Sequence, residues 1–83
     1  MDKEQEQVQL AMYREPPSGL VADVKVLADV SDGEWEGYRL EVLRVRRWPD
    51  PRPTWPSEGT IFHVRHKKGL PYRNWQLTDR RKV

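Results

Sequence analysis

The residues best suited to chemistry in this sequence are the arginines, lysines and aromatic side chains of its second half. Guanidinium and ammonium groups bind phosphates or carboxylates, and accessible aromatic rings stack on bases or anchor protein contacts. The candidate binding residues are Arg44, Arg46, Arg47, Arg52, Trp55, Arg65, Lys67, Lys68, Tyr72 and Arg73. If Arg44 and Arg46 share a strand face, neighbouring strand ends could add Arg65 and Lys67 to the same basic row.

The two histidines invite a metal hypothesis, which their spacing does not favour. His63 and His66 lie three residues apart, and on a strand such residues point to opposite faces. The cations Arg65, Lys67 and Lys68 would also repel a metal ion. We therefore expect no metal site, with one histidine at the edge of the core and the other in solvent.

Catalytic chemistry is not indicated either. The chain has no cysteine, and it has no Gly-x-Ser-x-Gly motif, phosphate-binding loop or dinucleotide fingerprint. Asp32, Glu34 and Glu36 lie around a predicted turn, where carboxylates more often maintain solubility than perform acid–base catalysis. The sequence predicts no catalytic residue and no cofactor.

The elements that must position the basic residues read as short strands. Residues 20–30 alternate apolar and polar side chains, which is the pattern of a half-buried strand. Further strands are predicted over residues 38–48, 60–67 and 73–78. In the second of these the apolar parity switches between Val42 and Leu43, which indicates a β-bulge or a sharp bend.

A stiff loop over residues 49–59 separates the second strand from the third. Its four prolines fix φ and remove ladder donors. Trp55 lies inside this loop and either plugs the end of the domain or stands exposed as a contact anchor. Trp75 is predicted to belong to the core, whereas Trp48 could be core or surface.

The domain boundaries follow from these elements. Residues 1–16 are predicted to form a tail or a short helix, with Val8, Ala11 and Met12 as a narrow apolar stripe. Residues 17–79 form the β domain, and residues 80–83 form a basic tail. The predicted fold is mainly all-β, a small bent antiparallel sheet or partly open barrel of four to five strands.

The stretches at residues 20–27 and 33–45 together resemble the KOW-type region of Src-homology-3-like small barrels. In that pattern a valine-rich strand leads through a turn to a glycine-containing strand, although Leu40 replaces the second glycine of the motif here. The resemblance covers about a third of the chain. It implies a small barrel that binds RNA, ribosomal or polymerase partners and is not an enzyme.

Charge divides sharply along the chain. Residues 1–43 carry four Lys or Arg against ten Asp or Glu, a net charge of −6. Residues 44–83 carry eleven against three, a net charge of +8. Either a basic patch meets an anionic partner, or the two halves interleave in the fold and neutralise each other.

The absence of cysteine, of an apolar leader and of a long apolar run predicts a cytoplasmic protein that does not cross a membrane. The favoured function is a non-catalytic binding module, an adaptor or regulator that docks on a larger protein. The alternative is a small barrel that binds RNA or single-stranded DNA. The oligomeric state is left open.

Overall fold

The computed structural model describes residues 7–79, which form one antiparallel sheet of five strands. The spatial order is β4-β3-β2-β1-β5, and the sheet is bent but not closed. The strands are β1 (Gln7–Met12), β2 (Val21–Asp29), β3 (Trp35–Arg47), β4 (Ile61–Lys67) and β5 (Trp75–Asp79). The predicted all-β fold is therefore confirmed, and the four strands expected from the alternation of side chains are present.

The core lies on the inner side of the bent sheet, because alternate side chains of each strand point there. Its fully or almost fully buried members are Val8, Leu10, Met12, Leu20, Ala22, Val24, Leu40, Val42, Val64 and Trp75. The prediction that Trp75 belongs to the core is confirmed. Trp48 packs against the core but is only partly buried.

The prediction of a tail or a short helix is wrong for residues Gln7–Met12, which form strand β1 between β2 and β5. The apolar residues Val8, Leu10 and Met12 alternate with polar or small neighbours, so the relevant period is two rather than three or four. β1 pairs with both β2 and β5. The sheet thus already includes Gln7, ahead of the domain start predicted at residue 17. Residues 1–6 and the predicted basic tail at 80–83 lie outside the described residues.

The parity switch in β3 reflects a β-bulge, as predicted. Asp23 pairs with Arg44 but Val24 pairs with Val42, so Leu43 is an extra residue on β3. A second shift leaves Arg46 extra on β3, and a third leaves Leu27 extra on β2. Bulges increase the local twist and bend, which lets a sheet this small wrap around its core.

One side-chain contact links the two edge strands. The Trp75 indole Nε1 on β5 donates a hydrogen bond of 2.7 Å to the carbonyl oxygen of Arg65 on β4. The same ring meets Tyr38 edge to face, with 6.0 Å between centroids. Trp75 therefore fills the space between strands that do not pair, and it satisfies a carbonyl that points away from the sheet.

Candidate binding surfaces

Seven cations lie on the outer side of β2, β3 and β4, opposite the core. The strand registers and the alternation of buried and exposed residues place on this side Lys25, Arg39, Arg44, Arg46, Arg47, Arg65 and Lys67. These residues are called the basic outer face below. Two carboxylates, Asp23 and Glu41, share the same side of these strands, so the strands present a net charge of +5 outward, with His63 beside Arg39.

The basic outer face ends where β1 begins. The outward positions of β1 and β5 carry uncharged residues: Gln7, Gln9, Ala11, Gln76 and Thr78. The outer surface of the sheet is therefore charged across β2, β3 and β4 and uncharged across β1 and β5.

Four of the seven cations, Lys25, Arg39, Arg44 and Arg47, have no partner in the part of the chain that the structure describes. Arg39, Arg44 and Arg47 are exposed and form no ion pair, hydrogen bond or ring contact with another described side chain. Arg46 differs, because its Nε lies 2.8 Å from the Asp23 carboxylate. Unpaired guanidinium groups keep their donors available for an external anion.

The sequence prediction joined Arg65 and Lys67 directly to the row of Arg44 and Arg46, and the structure corrects this arrangement. Arg65 and Lys67 lie opposite Gly37 and Trp35, at the start of β3. The row of Arg44 and Arg46 lies near its end, roughly 25 Å away at the rise of an extended strand. The two groups share one face of the sheet, and Arg39, which the sequence prediction left out, lies between them.

The expected stacking platforms are mostly covered by the protein's own guanidinium groups. Arg52 lies 4.3 Å from the ring centroid of Trp48, and Arg14 lies 4.7 Å from that of Tyr72. Trp35 is likewise contacted by a guanidinium group, since Arg65 lies 4.2 Å from its ring centroid. Each of these cation–π contacts places a guanidinium over one face of the ring, and a base that stacked on that face would have to displace it.

Two further candidate residues are engaged away from the basic outer face. Arg73 forms a 3.0 Å ion pair with Glu36 and lies over the Trp75 ring at 4.8 Å. The Lys68 ammonium donates to the backbone carbonyl of Asp32 at 2.6 Å. In these places the acidic half of the sequence does meet the basic half, as the alternative interpretation of the charge split predicted.

The carboxylates around the β2–β3 turn are structural. Asp32 accepts hydrogen bonds from the backbone N–H groups of Glu34 and Trp35, both at 2.8 Å, and these bonds lower the pKa of its carboxyl. Asp29 likewise has a lowered pKa, because its carboxylate accepts hydrogen bonds from Ser31. These hydrogen bonds favour the charged form of both carboxylates, and they also hold the backbone of the turn in place.

Trp55 lies on a separate, apolar surface. It is 44% exposed, and its ring rests edge to face on Phe62 with 5.3 Å between centroids. It borders a groove of about 480 Å³ that we call the proline groove. This groove is lined by Pro16, Pro17, Ser18, Pro49, Asp50, Pro51, Pro53, Thr54 and Trp55. Trp55 is therefore exposed and does not plug the end of the domain.

A larger depression of about 860 Å³ lies across Pro53 and Thr54 from the proline groove. Val45, Trp48 and the buried Pro56 form its floor, and Arg52 and Glu58 bring opposite charges to its wall. Because the Arg52 guanidinium is already stacked on Trp48, this depression offers no unengaged cation to an anionic ligand.

The histidines behave as their spacing predicted. His66 is buried, with 8% of its surface exposed, and His63 is exposed on the opposite side of β4. No group of three or more His, Cys, Asp or Glu residues within residues 7–79 is arranged to hold a metal ion.

Comparison of the chain with protein families, curated proteins and solved structures finds no match. The KOW-type resemblance of residues 20–27 and 33–45 stays a prediction. Nothing between residues 7 and 79 forms a helix that could cross a bilayer.

Proposed function

We propose that this protein is a non-catalytic binding module that holds an anionic macromolecule against the basic outer face. The observation that carries the proposal is the excess of seven cations over two carboxylates on the outer side of three neighbouring strands. The paired strands fix the spacing of the backbone positions from which these side chains extend, so an anionic partner meets a row of cations whose spacing the sheet sets.

Binding of immobilised heparin, a polyanion without bases, tests this proposal. We expect retention of the wild-type protein at neutral pH and low salt. The triple variant Arg39→Gln/Arg44→Gln/Arg47→Gln should elute at clearly lower salt, because three unpartnered guanidinium groups are removed. The measurement is the salt concentration at the elution peak.

The matched control removes three cations from elsewhere on the surface. Arg14→Gln/Arg52→Gln/Lys68→Gln changes the net charge by the same amount, but its residues stack on Tyr72 and Trp48 or bind a turn carbonyl. If both triple variants elute together, retention reflects net charge alone and the basic outer face is not the site.

Removing a carboxylate from the face should have the opposite effect. In Asp23→Asn the ion pair to Arg46 is lost, so the face gains one unit of positive charge and a released guanidinium. We expect elution from heparin at higher salt than the wild type. The Asp23 side chain is 13% exposed and that of Arg46 40%, so we expect loss of this charged hydrogen bond to cost about 1–3 kcal/mol of stability. Elution at or below the wild-type position would contradict the assignment.

A second candidate is an adaptor that docks on a larger protein through the proline groove. The specific observation in its favour is Trp55, a large aromatic residue that is exposed and yet held by Phe62 and flanked by proline rings. Rigid, exposed tryptophans are typical anchors of protein interfaces. A photo-crosslinking residue that replaces Thr54 tests this candidate. Crosslinked adducts with a larger protein should form when Trp55 is present, and they should disappear in the Trp55→Ala variant.

A further inference from the structure

The basic outer face differs in composition from a typical protein–protein interface. The buried centre of such an interface is depleted of charged residues and enriched in apolar ones. Here the centre of the face is Arg39 with its neighbours His63 and Glu41, and one large apolar residue in this region, Ile61, is exposed opposite Glu41. Interfaces with nucleic acids are, by contrast, more polar and much more positively charged.

The aromatic rings near the face argue against recognition of unpaired bases. Proteins that bind single strands combine a basic groove with open rings on which successive bases stack. Of the rings beside these strands, Trp35 is covered by Arg65, with Lys67 at 5.9 Å from the same ring. A partner whose bases are already stacked within a duplex needs no such platform.

The shape and side chains of the face favour contact with a phosphate backbone. The cations extend along β3 for roughly 25 Å or more, and a duplex carries one phosphate charge for about every 1.7 Å of its axis. The face is the outward side of a bent sheet, and residues 7–79 form no helix that could enter a groove and read bases. Its contacts would position a duplex without reading its sequence.

We infer that the anionic partner of the basic outer face is the sugar–phosphate backbone of double-stranded nucleic acid, bound without sequence preference. This inference rests on the proposed function, because it names the partner of that same face. Arg39, Arg44 and Arg47 supply unpartnered guanidinium groups to the phosphates, and Lys25, Arg65 and Lys67 extend the contact along and across the strands.

The test is a titration of the full chain with a fluorescently labelled 24-base-pair duplex, followed by anisotropy between 50 and 300 mM salt. The plot of log affinity against log salt should have a slope between about −4.5 and −6.3, because five to seven phosphate contacts each contribute about −0.9. A second duplex of unrelated sequence should bind within about twofold. Parallel titrations with duplex DNA and duplex RNA identify the source, since binding of either supports the inference.

The two triple variants give the decisive comparison. Arg39→Gln/Arg44→Gln/Arg47→Gln should make the slope about 2.7 less steep, whereas Arg14→Gln/Arg52→Gln/Lys68→Gln should leave it within about one unit of the wild type. Far-UV circular dichroism confirms that both variants fold. Equal slopes for the two variants would overturn the inference.

Binding of other ligands distinguishes a failure of the inference from a failure of the proposed function. If the protein is retained on heparin through these residues but binds no duplex at 50 mM salt, the inference fails and the proposed function stands. If the protein is not retained on heparin either, both the inference and the proposed function fail. Tighter binding of a single strand of the same length, or of poly-glutamate, would assign the face to unpaired nucleic acid or to an acidic protein and would equally overturn the inference.

Discussion

Replacing Trp75 by alanine is expected to remove about 3–5 kcal/mol from the free energy of unfolding, the largest effect of any single substitution considered. The indole is fully buried, packs against Tyr38, and donates to the Arg65 carbonyl across the gap between β5 and β4. A domain of this size has a total stability of about 4–12 kcal/mol at the usual values per residue. The loss therefore amounts to between about a quarter and the whole of the domain's stability.

Two further variants serve as comparisons, one for the hydrogen bond of Trp75 and one for the loss of an exposed tryptophan. Trp75→Phe keeps an aromatic ring but leaves the Arg65 carbonyl without its donor, so we expect a loss of about 1–3 kcal/mol. Trp55→Ala removes a ring that is 44% exposed and should cost about 1 kcal/mol or less. Urea denaturation followed by circular dichroism measures all three, and equal losses for Trp75→Ala and Trp55→Ala would contradict the described packing.

Charge reversal on the basic outer face is expected to produce the largest change in binding. Arg44→Glu/Arg47→Glu replaces two unpartnered cations with carboxylates, which repel an anionic partner as well as failing to bind it. Like-charge contacts cost several kcal/mol, so the affinity for a heparin dodecasaccharide should fall about 100-fold or more. Isothermal titration calorimetry measures the change.

The control for this reversal is Arg14→Glu/Arg52→Glu, which makes the same change in net charge away from the face. Both arginines stack on rings outside β2–β4, so the expected loss of affinity is much smaller. An equal loss in the two double variants would show that the anion responds to the overall charge of the protein rather than to this surface.

Much of the fold could be predicted because alternation along a strand is a local property. Residues 20–30, 60–67 and 73–78 correspond to β2, β4 and β5 with small shifts at their ends. The bulge in β3 was also visible, since an extra residue moves the apolar side chains from one parity to the other at Val42 and Leu43. These features need no knowledge of neighbouring strands.

β1 shows the limit of such reasoning. Val8, Ala11 and Met12 fit a helical stripe, while Val8, Leu10 and Met12 fit a strand equally well. Six residues do not distinguish the two periods. The decision is made by tertiary structure, because β2 and β5 each leave an edge that only a strand between them can pair.

The basic outer face was only partly predictable for the same reason. Arg44, Arg46 and Arg47 are close in sequence, but Lys25 joins them only through the pairing of β2 with β3. Arg39 shares their side of β3 because the bulge at Leu43 shifts the parity between residues 39 and 44. Likewise, no sequence pattern indicates that Arg52 covers Trp48 or that Arg14 reaches Tyr72. Register and long-range packing decide which cations are available and which rings are open.

Nuclear magnetic resonance of the labelled protein during titration with a heparin dodecasaccharide tests the central claim most directly. The side-chain Nε–Hε signals of Arg39, Arg44 and Arg47 should shift in a saturable manner, while those of Arg14 and Arg52 stay in place. Shifts confined to residues around the proline groove, such as Thr54 and Trp55, or no saturable shift at all, would show that β2, β3 and β4 do not carry the binding site.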